Sequence, residues 1–198
     1  MKKIFKLKLI VAIGIVLAAT FSASADTYTE ADAAKRTYLV PSDGELKGKK
    51  LLELSSPDLQ GTYRILCFAN TSYRLDISGD SQDNKANVQI WDSNQTFELY
   101  PTGGGYYRIK RNNKVLDVTN GQANPGTNVQ IYEWNGSDAQ QWKILKNDDG
   151  SFQIVSKLNE NLALDIDGAT SSDKFKNGVN VHLYTKNNSD AQKWKLIP

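Results

Sequence analysis

The chain has 198 residues, 39% hydrophobic and 23% charged, with 24 Lys and Arg against 22 Asp and Glu for a formal net charge of +2. One cysteine (Cys67) and one histidine (His182) exclude an intramolecular disulfide and leave no ligand set for a zinc site. The length suits one domain with a core of its own, and the near-balanced charge gives no argument for nucleic acid or an anionic membrane as partner.

The N-terminus reads as a secretory signal peptide over 1–25. Lys2, Lys3, Lys6 and Lys8 form a basic start, Leu9 to Phe21 is nearly all apolar, and Ala23-Ser24-Ala25 is a small-residue cleavage site. The apolar run falls short of the roughly 20 residues that span a bilayer, so membrane insertion is not expected. Cleavage after Ala25 removes four lysines and no acid, which turns the formal +2 into −2. The product is expected to be secreted and extracellular.

Residues 26–60 form a short N-terminal segment. Thr29 is placed to N-cap a short helix running to Arg36, Pro41-Ser42-Asp43-Gly44 is a turn, Gly48-Lys49-Lys50 is basic, and Leu51-Leu52-Glu53-Leu54 is apolar. The segment could be a linker, a strap across the following domain, or an arm that docks a protein partner.

From Gly61 to Pro198 one pattern occurs three times. The first unit begins Gly61-Thr62-Tyr63-Arg64-Ile65, continues Arg74-Leu75-Asp76-Ile77 and Asn87-Val88-Gln89-Ile90-Trp91, and closes Asn94-Gln95-Thr96-Phe97. The second begins Tyr106-Tyr107-Arg108-Ile109, continues Val115-Leu116-Asp117-Val118 and Asn128-Val129-Gln130-Ile131-Tyr132, and closes Ala139-Gln140-Gln141-Trp142. The third begins Phe152-Gln153-Ile154, continues Leu164-Asp165-Ile166 and Asn180-Val181-His182-Leu183-Tyr184, and closes Ala191-Gln192-Lys193-Trp194. Short runs rich in aliphatic and aromatic residues, separated by turn formers such as Asn120-Gly121, Asn124-Pro125-Gly126 and Asp149-Gly150, predict about four strands per unit in an all-β domain. Tyr63-Arg64-Ile65-Leu66-Cys67 alternates, so Cys67 is expected in the core.

One unit cannot bury its apolar face alone, so three must close on each other. Trp142, Trp194 and Phe97 are expected to plug the shared core, each indole N–H finding an acceptor. Val88 and Ile90, with their counterparts, then face inward. Gln89 with Trp91, Gln130 with Tyr132, and His182 with Tyr184 face outward.

These residues resemble a ricin B-chain-type (R-type) lectin domain. The resemblance rests on Gln140-Gln141-Trp142 and Gln192-Lys193-Trp194, with Gln95-Thr96-Phe97 as a weakened third, in phase with Leu-Asp pairs that step by 41 and then 48 residues. It implies a β-trefoil of three four-strand repeats over 61–198 and up to three carbohydrate sites. It also implies that Asp76, Asp117 and Asp165 accept from adjacent sugar hydroxyls and that Trp91, Tyr132 and Tyr184 stack on the sugar, beside Gln89, Gln130 and His182. An asparagine just before Gln-x-Trp adds a hydroxyl contact in this family; it is Asn94 in the first repeat but Ala139 and Ala191 in the others.

The chemistry is coherent by itself. A carboxylate accepts two hydroxyl donors at once, and an aromatic face suits the partly positive C–H side of a pyranose. Other roles for the same residues stay open: each Asp could end a strand in an Asx turn, each wall aromatic could be surface packing, and the Gln-x-Trp glutamines could serve the backbone. No nucleophile elbow, phosphate loop or metal-ligand cluster occurs, although Asp165 and Asp167 could face a sugar as an acid/base pair. The reading is a non-enzymatic secreted lectin without metal or cofactor, taking galactose-type or related sugars on glycans or polysaccharides. The alternatives are a toxin or adhesin subunit and a trefoil protease inhibitor.

Overall fold

The computed structural model describes residues 59–198. The expected signal peptide (1–25) and residues 26–58 of the expected N-terminal segment lie outside the described residues. Leu59, assigned to that segment from sequence, is buried in the core.

The described chain forms twelve strands, all paired antiparallel. The first repeat holds β1 (Gly61–Cys67), β2 (Arg74–Ile77), β3 (Val88–Trp91) and β4 (Phe97–Gly103). The second holds β5 (Tyr106–Arg111), β6 (Lys114–Val118), β7 (Val129–Glu133) and β8 (Trp142–Lys146). The third holds β9 (Phe152–Ser156), β10 (Asn159–Ile166), β11 (Val179–Thr185) and β12 (Trp194–Ile197).

The outer strands of the repeats pair in sequence, β1–β4–β5–β8–β9–β12, and β12 returns to β1. This is a closed six-stranded barrel, which leaves no edge among its members. The inner strands form hairpins β2–β3, β6–β7 and β10–β11. The hairpins meet through the β11–β3 pairing and through bridges Asn87↔Gln130 and Asn128↔His182. Barrel plus three convergent hairpins is the expected β-trefoil.

Alternation decides which side chains fill it. In β1, Ile65 and Cys67 are buried; in β5, Tyr107 and Ile109; in β8, Trp142 and Ile144. Trp142, Trp194 and Phe97 are fully buried. The Trp142 indole N–H donates to the Leu116 carbonyl at 3.2 Å and that of Trp194 to Leu164 at 3.4 Å. Each indole thus grips the backbone immediately before Asp117 or Asp165. The Phe97 ring carries no N–H donor, and the first repeat lacks this bond.

Where the hairpins converge, three asparagine side chains close a ring. Asn87 donates to Asn180, Asn180 to Asn128, and Asn128 to Asn87, each at 2.9 Å. Every amide donates once and accepts once, so three partly buried polar groups satisfy one another.

Burial pushes the Cys67 thiol up to about 12, so at pH 8 only about one molecule in ten thousand carries the thiolate. Mass spectrometry after iodoacetamide treatment is expected to find Cys67 unmodified in the native protein and fully alkylated in guanidinium chloride. Trp142→Ala is expected to cost about 3–5 kcal/mol in denaturant unfolding, and Trp142→Phe clearly less, because Phe97 fills the matching place in the first repeat.

Candidate functional site

Each hairpin sets an aspartate directly across from a polar residue: Asp76 opposite Gln89, Asp117 opposite Gln130, Asp165 opposite His182. Cross-strand partners share a face and touch. The Gln89 amide donates to Asp76 Oδ1 at 3.0 Å, the Gln130 amide to Asp117 Oδ1 at 2.9 Å, and His182 Nε2 lies 3.2 Å from Asp165 Oδ1.

In the second and third repeats the glutamine that opens Gln-x-Trp holds the other carboxylate oxygen. Gln140 donates to Asp117 Oδ2 at 3.0 Å and Gln192 to Asp165 Oδ2 at 2.9 Å. Both amides also donate to a strand carbonyl, of Glu133 and Thr185, and both Oε1 atoms accept from the backbone of Asn135 and Asn187. In the first repeat Gln95 turns to the backbone of Ile77, accepting from its N–H at 2.9 Å and donating to its carbonyl at 3.0 Å. The polar pairs face away from the barrel as expected, yet the aspartates and both glutamines are buried, with Asp76 at 4% and Asp117 and Asp165 at 7% exposure, and His182 is half-buried. The Gln-x-Trp segment folds over them in the last two repeats.

A hollow opens above each carboxylate. The middle one, of about 450 Å³, has Asp117, Asn120, Gln130, Tyr132 and Asn135 in its wall. The first, of about 360 Å³, has Asp76, Gly79, Gln89, Trp91 and Ser93. The third, of about 340 Å³, has Asp165, Asp167, His182, Tyr184 and Asn187. One wall in each is a tight turn after the aspartate strand, where Gly79, Asn120 or Gly168 takes a left-handed φ of 56° to 67°. Trp91 and Tyr184 stand at the rim, 41% and 46% exposed, so an aromatic surface is open to a ligand. His182 stacks on Tyr184 with ring centroids 5.8 Å apart and planes 13° from parallel.

The aspartate, polar residue and aromatic of each repeat therefore share one hollow, as the sequence predicts. Asn94 does not join them. It is exposed, and its Oδ1 accepts from Arg74 at 2.9 Å. Arg74 also donates to the Ser93 carbonyl, so its guanidinium closes the short loop after Trp91 and draws Asn94 away from the hollow. Sequence reasoning missed Asn135 and Asn187, which line the middle and third hollows. Each closes an Asx turn by accepting from the N–H of Ser137 or Ser189 at 2.9 and 2.8 Å. Their signal was the Asn-x-Ser-Asp-Ala-Gln run shared by both repeats, five residues ahead of the glutamine rather than one. Asp149-Gly150 lies in the turn between β8 and β9 as predicted, and the Asp149 carboxyl is held near 2 by the Ser151 hydroxyl and N–H and by Lys193.

A family model described as ricin-type β-trefoil lectin domain-like matches residues 93–184, which include the whole middle repeat. The chain belongs to this ricin-type lectin-like family. The ricin-type domain is 31% identical to ThreeFoil, a designed threefold-symmetric protein, over 69% of this chain and 98% of that one, with a TM-score of 0.64. It is 27% identical to an exo-β-1,3-galactanase of Clostridium thermocellum over 71% of this chain and 30% of the enzyme, with a TM-score of 0.61. The ricin B-like lectin of Macrolepiota procera, solved with lactose, shares the fold at 19% identity over 72% of this chain and 98% of that one, with a TM-score of 0.56.

Removing Gln140 from the ricin-type domain leaves an Asp117 oxygen, the Glu133 carbonyl and the Asn135 N–H without their partner. Gln140→Ala and Gln192→Ala are each expected to cost about 1–3 kcal/mol, read from urea unfolding midpoints.

Proposed function

We propose that this chain is a secreted lectin that holds one pyranose in each of three hollows without changing it chemically. The supporting observation is the threefold recurrence of one polar-plus-aromatic arrangement: a buried aspartate, oriented by a cross-strand partner, beneath an exposed or half-exposed ring.

The arithmetic of acceptors favours a sugar. An ionised carboxylate offers about four lone-pair sites. Gln130 and Gln140 occupy two at Asp117, leaving two for adjacent hydroxyls, and such charge-assisted bonds contribute about 1.5–3 kcal/mol each. The Tyr132 ring then covers the apolar face of the same pyranose. A galactose-type sugar suits the lactose of the Macrolepiota lectin and the substrate class named for the galactanase. Secretion rests on the basic start and Ala23-Ser24-Ala25.

A single shallow hollow of this kind is expected to bind near millimolar, or about −4 kcal/mol. Three on one domain gain by avidity on a repetitive glycan. A glycan array probed with the whole protein is expected to show galactose-containing ligands, and Asp117→Asn to weaken the middle hollow about tenfold in titration calorimetry. Binding that survives all three Asp→Ala changes but disappears on deleting residues 26–58 would falsify the hollows as the sites and assign recognition to the N-terminal segment.

A further inference from the structure

The hairpins contact one another at one recurring spot. The Lys85 N–H donates to the Ile131 carbonyl at 2.8 Å, the Gly126 N–H to Leu183 at 2.7 Å, and the Gly178 N–H to Ile90 at 2.9 Å. The three donors hold equivalent places, each two residues before an asparagine of the central ring. All three have left-handed backbone, with φ of 72°, 86° and 84°. Glycine adopts that conformation freely, whereas a residue with a Cβ does so at a cost. The first repeat nevertheless carries a lysine there. A side chain kept where the backbone favours glycine points to a use for the side chain.

Its position indicates the use. A Cβ built on Gly178 would stand 3.5 Å from Cζ3 of Trp91, the aromatic wall of the first hollow. This place in the third repeat therefore abuts the aromatic wall of the first. Lys85 likewise lines the middle hollow, beside Asp117 and Tyr132, although it belongs to the first repeat. No ion pair joins Lys85 to an acid among the described residues: Asp117 is held by the Gln130 and Gln140 amides, Asp138 pairs with Lys157 at 2.9 Å, and Glu133 pairs with Lys114 at 3.0 Å. The exposed Lys85 ammonium is left to face a ligand.

We propose that Lys85 makes the middle hollow selective for a pyranose bearing an anionic substituent, a carboxylate or a sulfate, a preference the other two hollows lack because no lysine lines them. The proposal rests on the lectin reading and adds the ligand class of one hollow.

The test uses the full chain with Trp91→Ala and Tyr184→Ala, which remove exposed rings from the other two hollows. Calorimetry compares galactose, galacturonate and galactose 6-sulfate. The acidic sugars are expected to bind about three- to tenfold tighter at low ionic strength, with the ratio shrinking as salt rises. Lys85→Gly is expected to bring the ratio to about one and to raise Tm by about 2–4 °C as the backbone strain is released. Lys85→Arg keeps the ratio. Preference for galacturonate alone names a carboxylate as the recognised group, and preference for both names the negative charge. A ratio near one before substitution, or one that Lys85→Gly leaves unchanged, overturns the proposal. If Asp117→Ala in the same background alters the binding of no sugar, the lectin reading of the hollow has failed with it.

Discussion

A repeat of this kind has one apolar face and nothing of its own to cover it. Closure with two further copies is the constraint on which everything else depends, because only the closed six-stranded barrel takes Trp142, Trp194 and Phe97 out of water together. The hairpins add a second closure. The asparagine ring lets three polar side chains meet at the axis at no unmet hydrogen-bonding cost, and it ties each repeat to both others.

The Gln-x-Trp segment joins that core to the hollows. Its tryptophan holds the carbonyl before the aspartate, and its glutamine holds the aspartate itself. Core filling and carboxylate orientation are therefore carried by residues two positions apart, and neither can drift without the other. The first repeat shows what weakening does. With Phe97 in place of tryptophan and Gln95 turned to Ile77, the backbone anchor and the second carboxylate bond are lost together, while the Gln89 bond to Asp76 remains.

Much of this was legible from spacing. Strands alternate with a period of two, so Val88, Ile90 and their counterparts could be assigned inward and the Asp, Gln and aromatic residues to a common outer face. Three in-phase copies made threefold closure the economical reading. What spacing could not show was contact between repeats. Asn87, Asn128 and Asn180 open the matching segment of each unit, but nothing in the spacing shows that they meet until the hairpins converge. Asn94 looked like a hollow residue because its neighbours matched, but Arg74, twenty positions earlier, captures it. Asn135 and Asn187 escaped notice because their role depends on an Asx turn bending them back over the aspartate.

The handover between hairpins has an architectural consequence. Since Lys85, from the segment before the axis asparagine Asn87, lines the hollow of the following repeat, the middle hollow does not belong to one repeat alone. The second repeat cut from the chain would carry the floor of its pocket without the Lys85 flank. Three units assembling around the axis would regain that flank, so this recognition surface is completed by the trimeric arrangement itself, and tandem fusion merely makes that arrangement permanent.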